Sequence, residues 1–285
     1  MTVVEKKEFR AICSDLDHTL LMPDKSISEK TGFCLRTLME RGMEVIPCTG
    51  RSFCSLPESV TSFPGIRYVV VSNGAAVYDL TENKAIIRQC LREDFAGTLM
   101  AFLQERKEPV TFECFVEGQA YTSQAYFNEP ADFGIPGEIE KRYVQSTRMP
   151  VPDIRDFILE NGNRLEALDV ILPPPARDKV SEMIKEEFPD IYLTTSVPHL
   201  IEISHVLSGK HRGIEKLARR LGFGPDQVIA FGDGDNDSEM LGMAGLGIAV
   251  DNASERCKKA ADLIIGPSRE ESVACFLMDY FSIQI

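Results

Sequence analysis

The sequence predicts an α/β protein in which a parallel sheet carries helices on both faces and an α+β unit is inserted into it. Two observations support this class. Short β-branched or apolar runs alternate with helical patterns toward both ends of the 285-residue chain, which is typical of a parallel sheet covered on both faces. Between these parts the pattern changes to hairpins and separate helices, which indicates the insertion.

The N-terminal part contains strands and one helix of the predicted sheet. The helix begins at Ser28 and stops at Gly42, a residue type that commonly follows the last helical turn. The pair Asn73-Gly74 after the last of these strands predicts a tight turn. The strands, all short and apolar, are predicted at residues 9–14, 44–48 and 68–71.

The C-terminal part repeats this alternation. Ser208 is a candidate cap for a helix that ends at Gly222. Asn252 and Glu255 resemble a capping box that opens a helix ending near Ala261. The other predicted elements are strands at residues 228–231 and 246–250 and a helix near 238–243.

The middle of the chain has a different organisation. A hairpin is predicted around Glu117-Gly118, and residues 128–152 form a stretch richer in proline and glycine. The remaining predicted elements are helices at 94–106 and from the triple-proline break at 173–175 to about 188, with strands at 110–116, 119–123, 165–172, 191–195 and 200–204. We therefore predict an inserted domain at residues 90–195, with the parallel-sheet domain formed by residues 1–89 and 196–285.

The charge balance limits the class of partner. The chain has 31 Lys and Arg against 44 Asp and Glu, a formal net charge of -13. Neither a nucleic acid nor an anionic membrane offers such a chain an attractive field, so we expect neither as a partner. A small anionic substrate stays compatible with this charge if a metal or a few local cations mask the acids near the site.

The cysteines and the apolar runs indicate the compartment. The eight cysteines include no Cys-x-x-Cys pair, which suits reduced thiols better than a disulfide framework or a zinc site. No run of eighteen apolar residues occurs, and the first residues lack the apolar region of a signal peptide. We therefore expect a cytoplasmic protein.

Polar residues follow three of the predicted strands at the points where those strands end. Ligands of open α/β sheets bind outside the carboxyl ends of the strands. If the three strands are neighbours, four carboxylates, a hydroxyl and a carboxamide converge in one crevice. These groups belong to Asp15, Asp17, Asp233, Asp237, Thr49 and Asn236.

Carboxylates packed this closely raise one another's pKa unless a positive charge lies between them. A hard divalent cation with oxygen ligands solves this problem, and Mg²⁺ suits one or two carboxylates with waters and phosphate oxygens. Lys210, predicted near the start of a helix, adds a second positive charge. This set of groups suits phosphoryl transfer, in which catalysis is mainly positioning and charge neutralisation.

The order of these motifs resembles that of the haloacid dehalogenase-like (HAD) hydrolase superfamily, and within it the Cof-type, class IIB branch. The resemblance implies a Rossmann-like core with an inserted cap domain between the second and third motifs. It also implies a phosphatase, because the phosphatases of the superfamily need an acid two residues after the nucleophile. The matching motifs are Asp15-x-Asp17-x-Thr19, Thr49-Gly50-Arg51, Lys210 and Gly232-Asp233-x-x-Asn236-Asp237.

The resemblance implies a role for each matched residue. Asp15 is the expected nucleophile, and it forms an aspartyl-phosphate that is then hydrolysed. Asp17 is the expected acid and base, and its main-chain carbonyl binds the metal. Asp233 ligates Mg²⁺ together with Asp15, and Asp237 supports the metal from behind these ligands or through water. The expected phosphoryl-binding residues are Thr49, Lys210 and Asn236.

Two residues and two functions stay open at this stage. Arg51 either contacts substrate or pairs with an acid between core and cap. His18 stands where this branch most often has glycine, and it is a candidate substrate contact or a steric feature beside the nucleophile. A phosphatase acting on a small phosphorylated metabolite, such as a sugar phosphate, is the leading interpretation. A sugar-phosphate phosphomutase and a sensor that binds a phosphorylated ligand without turnover are the alternatives, and the sequence leaves the oligomeric state open.

Overall fold

The computed structural model describes residues 8–135 and 137–284. The strands in chain order are Ala11–Ser14 (β1), Glu44–Pro47 (β2), Tyr68–Val71 (β3), Ala76–Asp79 (β4), Lys84–Arg88 (β5), Thr111–Val116 (β6), Gln119–Ser123 (β7), Arg148–Val151 (β8), Leu165–Ile171 (β9), Ile191–Thr194 (β10), Leu200–His205 (β11), Val228–Gly232 (β12), Leu246–Val250 (β13) and Leu263–Ile265 (β14).

The helices in chain order are Glu29–Glu40 (α1), Glu58–Thr61 (α2), Phe95–Glu105 (α3), Gln124–Asn128 (α4), Glu138–Thr147 (α5), Ile154–Glu160 (α6), Arg177–Glu187 (α7), Lys210–Leu221 (α8), Ser238–Met243 (α9), Glu255–Ala260 (α10) and Ser272–Phe281 (α11). Within the described part of the chain, no helix combines the length and apolar character that crossing a bilayer requires.

A parallel sheet forms the centre of the larger unit. Its strand order is β14-β13-β12-β1-β2, and all four strand pairs are parallel. Every residue of β1 and β12 is buried, so both faces of these central strands are covered. Apolar side chains of α1 and α11, which pack together, and of α8 and α9 join the sheet in one core cluster. The predicted α/β class is confirmed.

A small antiparallel sheet continues from the edge of this parallel sheet. It has the order β3-β4-β5, and Cys48, just after β2, forms a parallel bridge with Val70 of β3. The predicted Asn73-Gly74 turn joins β3 to β4, with positive φ values of 49° and 84°. The sequence predicted β3 but neither β4 nor β5.

The insertion forms a third sheet, which is mixed and has the order β10-β11-β9-β6-β7-β8. All of its pairs are antiparallel except the pair of β7 with β8. One face packs against α3, α6 and α7, where apolar side chains from strands and helices form a separate core cluster. The predicted hairpin is present, with Glu117 and Gly118 at positive φ.

Strand pairing places the end of the insertion later than predicted. The predicted boundary between residues 195 and 196 separates β11 from its partners, although β11 pairs with both β9 and β10. The six-stranded sheet therefore continues to His205. Residues 128–152 also contain more structure than their composition indicated, since α5 and β8 lie there. The division into a core and a cap remains a prediction.

Two predicted helix caps are wrong by one or two residues. Gly209 rather than Ser208 precedes α8, and its φ of 111° suits glycine. Ser254 rather than Asn252 caps α10, because the Ser254 side chain accepts a hydrogen bond from the main-chain N–H of Cys257. The Asn252 side chain donates instead to the carbonyl of His18, which brings it to the site described below.

The turn at Gly74 provides a test of this packing. A Cβ on Gly74 would lie 2.0 Å from the carbonyl oxygen of Gly209, whereas a Cβ on Gly42, at a similar φ of 86°, would meet nothing within 4 Å. We expect Gly42→Ala to lower the free energy of unfolding by about 1 kcal/mol through backbone strain alone. Gly74→Ala should cost about 3 kcal/mol or more, because a steric clash adds to that strain. Chemical denaturation measures the free energy of unfolding of both variants. Equal losses would contradict the close approach of Gly74 to Gly209.

Candidate active site

The turns that carry the predicted site residues lie side by side because their strands are neighbours. Asp15 follows β1 and Asp233 follows β12, and these strands pair directly. Thr49 lies just beyond β2, which pairs with the other edge of β1. Carboxyl ends of parallel strands share one edge of the sheet. The structure therefore brings the three turns together.

A buried lysine lies between two of the acids. The Nζ atom of Lys210 is 2.6 Å from Oδ1 of Asp15 and 2.7 Å from Oδ1 of Asp237. Lys210 is the first residue of α8, and its side chain is fully buried. Burial lowers the pKa of Lys210, but attraction to Asp15 and Asp237 outweighs it and holds the pKa well above its usual value. Lys210 is therefore a cation at neutral pH.

Asp237 holds its own loop as well as Lys210. Its Oδ2 atom accepts hydrogen bonds from the main-chain N–H groups of Asp233, at 3.0 Å, and Gly234, at 2.9 Å. A Cβ on Gly232 would lie 2.4 Å from the Cβ of Asp237, so the loop closes this tightly only with glycine there. Both oxygens of the Asp237 carboxylate therefore accept hydrogen bonds within the site, which suits the expected role of Asp237 in supporting the metal.

Asp15, Asp233 and Asp237 form a carboxylate group suited to a metal ion. One ligand oxygen from each lies within 4.8 Å of the others. Burial and the neighbouring carboxylates raise the pKa of Asp15 and of Asp233, although Lys210 acts in the opposite direction on both. A divalent cation would remove this repulsion, and a set of hard oxygen donors matches Mg²⁺. The residues present therefore fit the predicted cofactor.

The side chain of Asp17 contacts two cations rather than this carboxylate group. Arg51 Nε lies 2.6 Å from Oδ2, and Lys25 Nζ lies 2.8 Å from Oδ1. Burial raises the pKa of Asp17, but hydrogen bonds and charges from Arg51 and Lys25 outweigh it and hold that pKa well below its usual value. Asp17 is therefore ionised in this arrangement. The predicted metal ligand from Asp17 is its main-chain carbonyl, which remains a prediction.

Arg51 also connects the core to the insertion. Its guanidinium carbon lies 5.0 Å from the ring centre of Tyr143, and one of its nitrogens lies 3.3 Å from the Tyr143 hydroxyl. Of the two roles considered for Arg51, the structure shows the pairing with an acid, namely Asp17, beside a residue of the insertion. Because Arg51 also lines the cavity, a contact with substrate stays a prediction.

A chain of amide and carboxylate hydrogen bonds runs from Asn236 into the insertion. Asn236 Nδ2 donates to Asn73 Oδ1 at 2.9 Å, and Asn73 Nδ2 donates to Glu202 Oε1 at 3.0 Å. Gly50 fits beside this chain, because a Cβ there would lie 2.9 Å from Glu202 Oε1. The amide of Asn236 is therefore held in place at the wall of the cavity, which Thr49 also lines.

His18 adopts a φ of 62°, a left-handed conformation in which glycine is usual. This backbone requirement explains why a glycine suits the position. The main-chain carbonyl of His18 accepts a hydrogen bond from Asn252 at 2.9 Å, which helps hold the turn. The His18 side chain lies at the cavity wall beside Asp17.

Comparison with known proteins gives the same superfamily that the sequence motifs resemble. The family model for haloacid dehalogenase-like hydrolases matches residues 12–277, and that span includes every residue of the site described above. The chain belongs to the haloacid dehalogenase-like hydrolase family. The superfamily that the sequence motifs resemble is therefore confirmed.

The similarity extends over almost the full length of related proteins. A putative phosphatase of Haemophilus influenzae is 28% identical, with 96% of this chain and 98% of the relative covered. The 5-amino-6-(5-phospho-D-ribitylamino)uracil phosphatase YitU of Bacillus subtilis is also 28% identical, over 95% of this chain and 97% of the relative. The predicted enzyme class, a phosphatase, is confirmed by these relatives.

Solved structures show the same fold. The HAD subclass IIB sugar phosphatase BT4131 superposes with a TM-score of 0.76 at 19% identity, covering 96% of this chain and 100% of that structure. At this identity the likeness establishes the shared HAD fold and nothing further.

The HAD core and the insertion enclose one cavity of about 380 Å³, and sequence reasoning missed part of its wall. Asn73 lies in the predicted Asn73-Gly74 turn, and nothing in the sequence indicated that its side chain reaches the site. Side chains alternate along the strands of the insertion, but alternation alone does not say which face meets the core. The cavity-lining residues that were missed include Lys25, Tyr143, Arg148, Asp169 and Glu202.

The pairing of Lys210 gives a prediction for stability. Lys210→Met leaves two buried carboxylates without their cation, so we expect the free energy of unfolding to fall by about 3–5 kcal/mol. Lys25→Met is the matched control, because the Lys25 side chain is 42% exposed and its ion pair with Asp17 should contribute at most about 1 kcal/mol. Urea denaturation in buffer with EDTA measures both changes. Similar losses in the two variants would show that the Lys210 pairs are not the stabilising feature.

Proposed function

We propose that the chain is a Mg²⁺-dependent phosphatase that hydrolyses the phosphate monoester of a small metabolite, such as a sugar phosphate, through an aspartyl-phosphate at Asp15. The contact of buried Lys210 with Asp15, beside a carboxylate group suited to a cation, carries this proposal. The names of the relatives support it, since one is a phosphatase of a phosphorylated ribityl compound.

In the first proposed step, a carboxylate oxygen of Asp15 forms a bond to phosphorus while the bond from phosphorus to the ester oxygen breaks. The leaving alcohol takes its proton from Asp17. In the second step, water attacks the phosphorus of the aspartyl-phosphate and gives a proton to Asp17. Inorganic phosphate leaves, and the Asp15 carboxylate is regenerated.

The contacts of Asp17 place a condition on the first step. As held by Arg51 and Lys25, Asp17 is ionised and suited to accept a proton rather than to donate one. Proton donation therefore requires Asp17 to leave these cations and to take up a proton when substrate binds. The second step needs no such change, because an ionised Asp17 is the base.

The remaining residues of the site position the phosphoryl group. Lys210 orients Asp15 through its contact with Oδ1, and its charge attracts phosphoryl oxygens. Thr49 and Asn236 line the cavity and can donate hydrogen bonds to those oxygens. Asp15, Asp233 and the Asp17 carbonyl, with Asp237 in support, would hold Mg²⁺, and the bound ion would supply further neutralisation of phosphoryl charge.

The proposal includes the division of the chain into a core and a cap and a cytoplasmic location. The cap covers the phosphoryl site and excludes bulk water during turnover. The pairing of β11 with β9 and β10 indicates that the cap ends after His205 rather than at residue 195. All eight cysteines are free, which suits a reducing compartment. The expected partner is a small phosphorylated metabolite, with no nucleic acid and no membrane.

Replacement of the proposed nucleophile tests the covalent step. Asp15→Asn should abolish turnover of p-nitrophenyl phosphate, by at least about 10³-fold in kcat, because the neutral amide does not form the phosphoryl ester. Asp24→Asn is the matched control, since Asp24 is exposed and bonds only to Ser26 in its own turn. Release of inorganic phosphate gives the rates, and circular dichroism checks that both variants are folded.

The activity of this variant and two measurements on wild-type protein distinguish the phosphatase from the alternative functions. Substantial activity in the Asp15→Asn variant rejects the aspartyl-phosphate. With labelled substrate and wild-type protein, transfer of label to a second sugar hydroxyl instead of water identifies a phosphomutase. Binding of phosphate esters without turnover of any of them identifies a sensor.

The metal site gives a prediction that does not depend on activity. Isothermal titration of wild-type protein with MgCl₂ should show one binding event that EDTA removes. Asp233→Asn should weaken this binding at least about tenfold, because it removes a charged oxygen ligand. Asp235→Asn in the same loop should leave it unchanged, because the Asp235 side chain bonds to Ser254 and lies outside the carboxylate group. Equal affinity in the Asp233 and Asp235 variants would contradict the assigned ligand.

A further inference from the structure

Two arginine side chains contact the ring of one tyrosine where the core meets the insertion. The guanidinium carbon of Arg51, a core residue, lies 5.0 Å from the ring centre of Tyr143, a residue of α5. The guanidinium carbon of Arg148, at the start of β8, lies 4.9 Å from the same ring centre. An aromatic ring attracts a cation placed over its face. The ring of Tyr143 therefore joins two cations that would otherwise repel each other.

Each arginine is also paired with an acid. Arg51 binds Asp17 through two nitrogens, with Nε 2.6 Å from Oδ2 and Nη2 2.8 Å from Oδ1. Arg148 binds Glu113 of β6, with its Nη2 atom 2.9 Å from Oε2. The arginine side chains are only 10% and 8% exposed, so solvent screens these two-point contacts less than it screens surface ion pairs. A series of contacts thus runs from Asp17 through Tyr143 to the sheet of the insertion.

Tyr143 adds to the contacts that Arg51 makes within the core. There, Nη1 of Arg51 donates a hydrogen bond to the main-chain carbonyl of Ser55 at 3.0 Å. The same nitrogen lies 3.3 Å from the Tyr143 hydroxyl, and the ring lies over the guanidinium group. Arginine has many rotamers, so a ring in this place restricts the positions that the group holding Asp17 can take.

We propose that Tyr143 is a positioning residue for the second step of the reaction. Through Arg51 it holds the Asp17 carboxylate where that group takes a proton from the attacking water. In this step the water oxygen forms a bond to phosphorus, the bond from phosphorus to the Asp15 oxygen breaks, and the water proton passes to Asp17. The inference rests on the proposed function, because the base acts on an aspartyl-phosphate at Asp15.

The contacts of Asp17 favour the second step over the first. In the first step Asp17 has to leave Arg51 before it donates a proton, so a residue that secures Arg51 does not assist it. Once the proton has gone to the leaving alcohol, Asp17 is ionised again and can return to Arg51 and Lys25. The three hydrogen bonds from these two residues leave one of the roughly four lone-pair sites of a carboxylate for the attacking water.

A role in the second step differs from a contact with substrate. Every ester gives the same aspartyl-phosphate, and the leaving group has departed before water attacks. Loss of Tyr143 should therefore slow one step that all substrates share. Displacement of a reacting group by about 1 Å can cost about 10²-fold in rate, so a looser Arg51 is sufficient for a measurable effect.

Stopped-flow kinetics of the Tyr143→Leu variant with p-nitrophenyl phosphate separate the two steps. We expect a burst of about one equivalent of p-nitrophenolate per active site, because the aspartyl-phosphate accumulates. The kcat should fall about tenfold, whereas kcat/KM, which reports only the steps up to departure of the leaving group, should stay within about threefold of wild type. Phenyl phosphate should give the same kcat in this variant. Tyr143→Phe, which keeps the ring, should recover most of the lost kcat.

Tyr121→Leu is the matched control, because Tyr121 is a half-buried tyrosine of the insertion that packs against Phe157 and is not among the residues lining the cavity. Its kcat and burst should equal those of wild type. Parallel losses of kcat and kcat/KM without a burst in Tyr143→Leu indicate a substrate contact or lost structure and overturn the inference. Wild-type kinetics in Tyr143→Leu overturn this inference alone, whereas no release of p-nitrophenolate by wild-type protein overturns the proposed function with it.

Discussion

The buried cation of Lys210 is the constraint on which the site depends. A fully buried lysine is tolerated only because Asp15 and Asp237 each place an oxygen within hydrogen-bond distance of its Nζ atom. These contacts join the turn after β1, the loop after β12 and the first residue of α8. The turn that contains Asn73 is attached at the same place. The N–H of Gly209, just before Lys210, donates a hydrogen bond of 2.7 Å to the Asn73 carbonyl.

The parts of this arrangement that the sequence predicted are those that follow directly from a strand. Asp15 and Asp233 come immediately after short apolar strands, so one assumption, that the strands are neighbours in a parallel sheet, was enough to bring them together. The predicted strands at 228–231 and 246–250 and the helix near 238–243 agree closely with β12, β13 and α9, because each is bounded by clear turn residues.

The parts that the sequence did not predict depend on how turns and sheet faces are oriented in the folded chain. Lys25 is one of many basic residues, and only the folded chain brings it to Asp17, which lies eight residues earlier. Side chains alternate along β6, so Phe112 and Phe115 lie on opposite faces, but alternation alone does not say which face meets the core. In the structure Phe112 lies in the apolar cluster beneath the helices, and Phe115 lines the cavity.

Two of the contacts that cross between core and insertion have different consequences. The contact of Arg51 with Tyr143 reaches the proposed acid and base through Arg51, whereas the contact of Asn73 with Glu202 reaches a phosphoryl-binding side chain through Asn73. Neither contact includes Lys210, Asp233 or Asp237, whose own bonds lie within the core. Because the carboxylate group is held independently of the insertion, side chains of the insertion can change while Lys210, Asp233 and Asp237 keep their contacts.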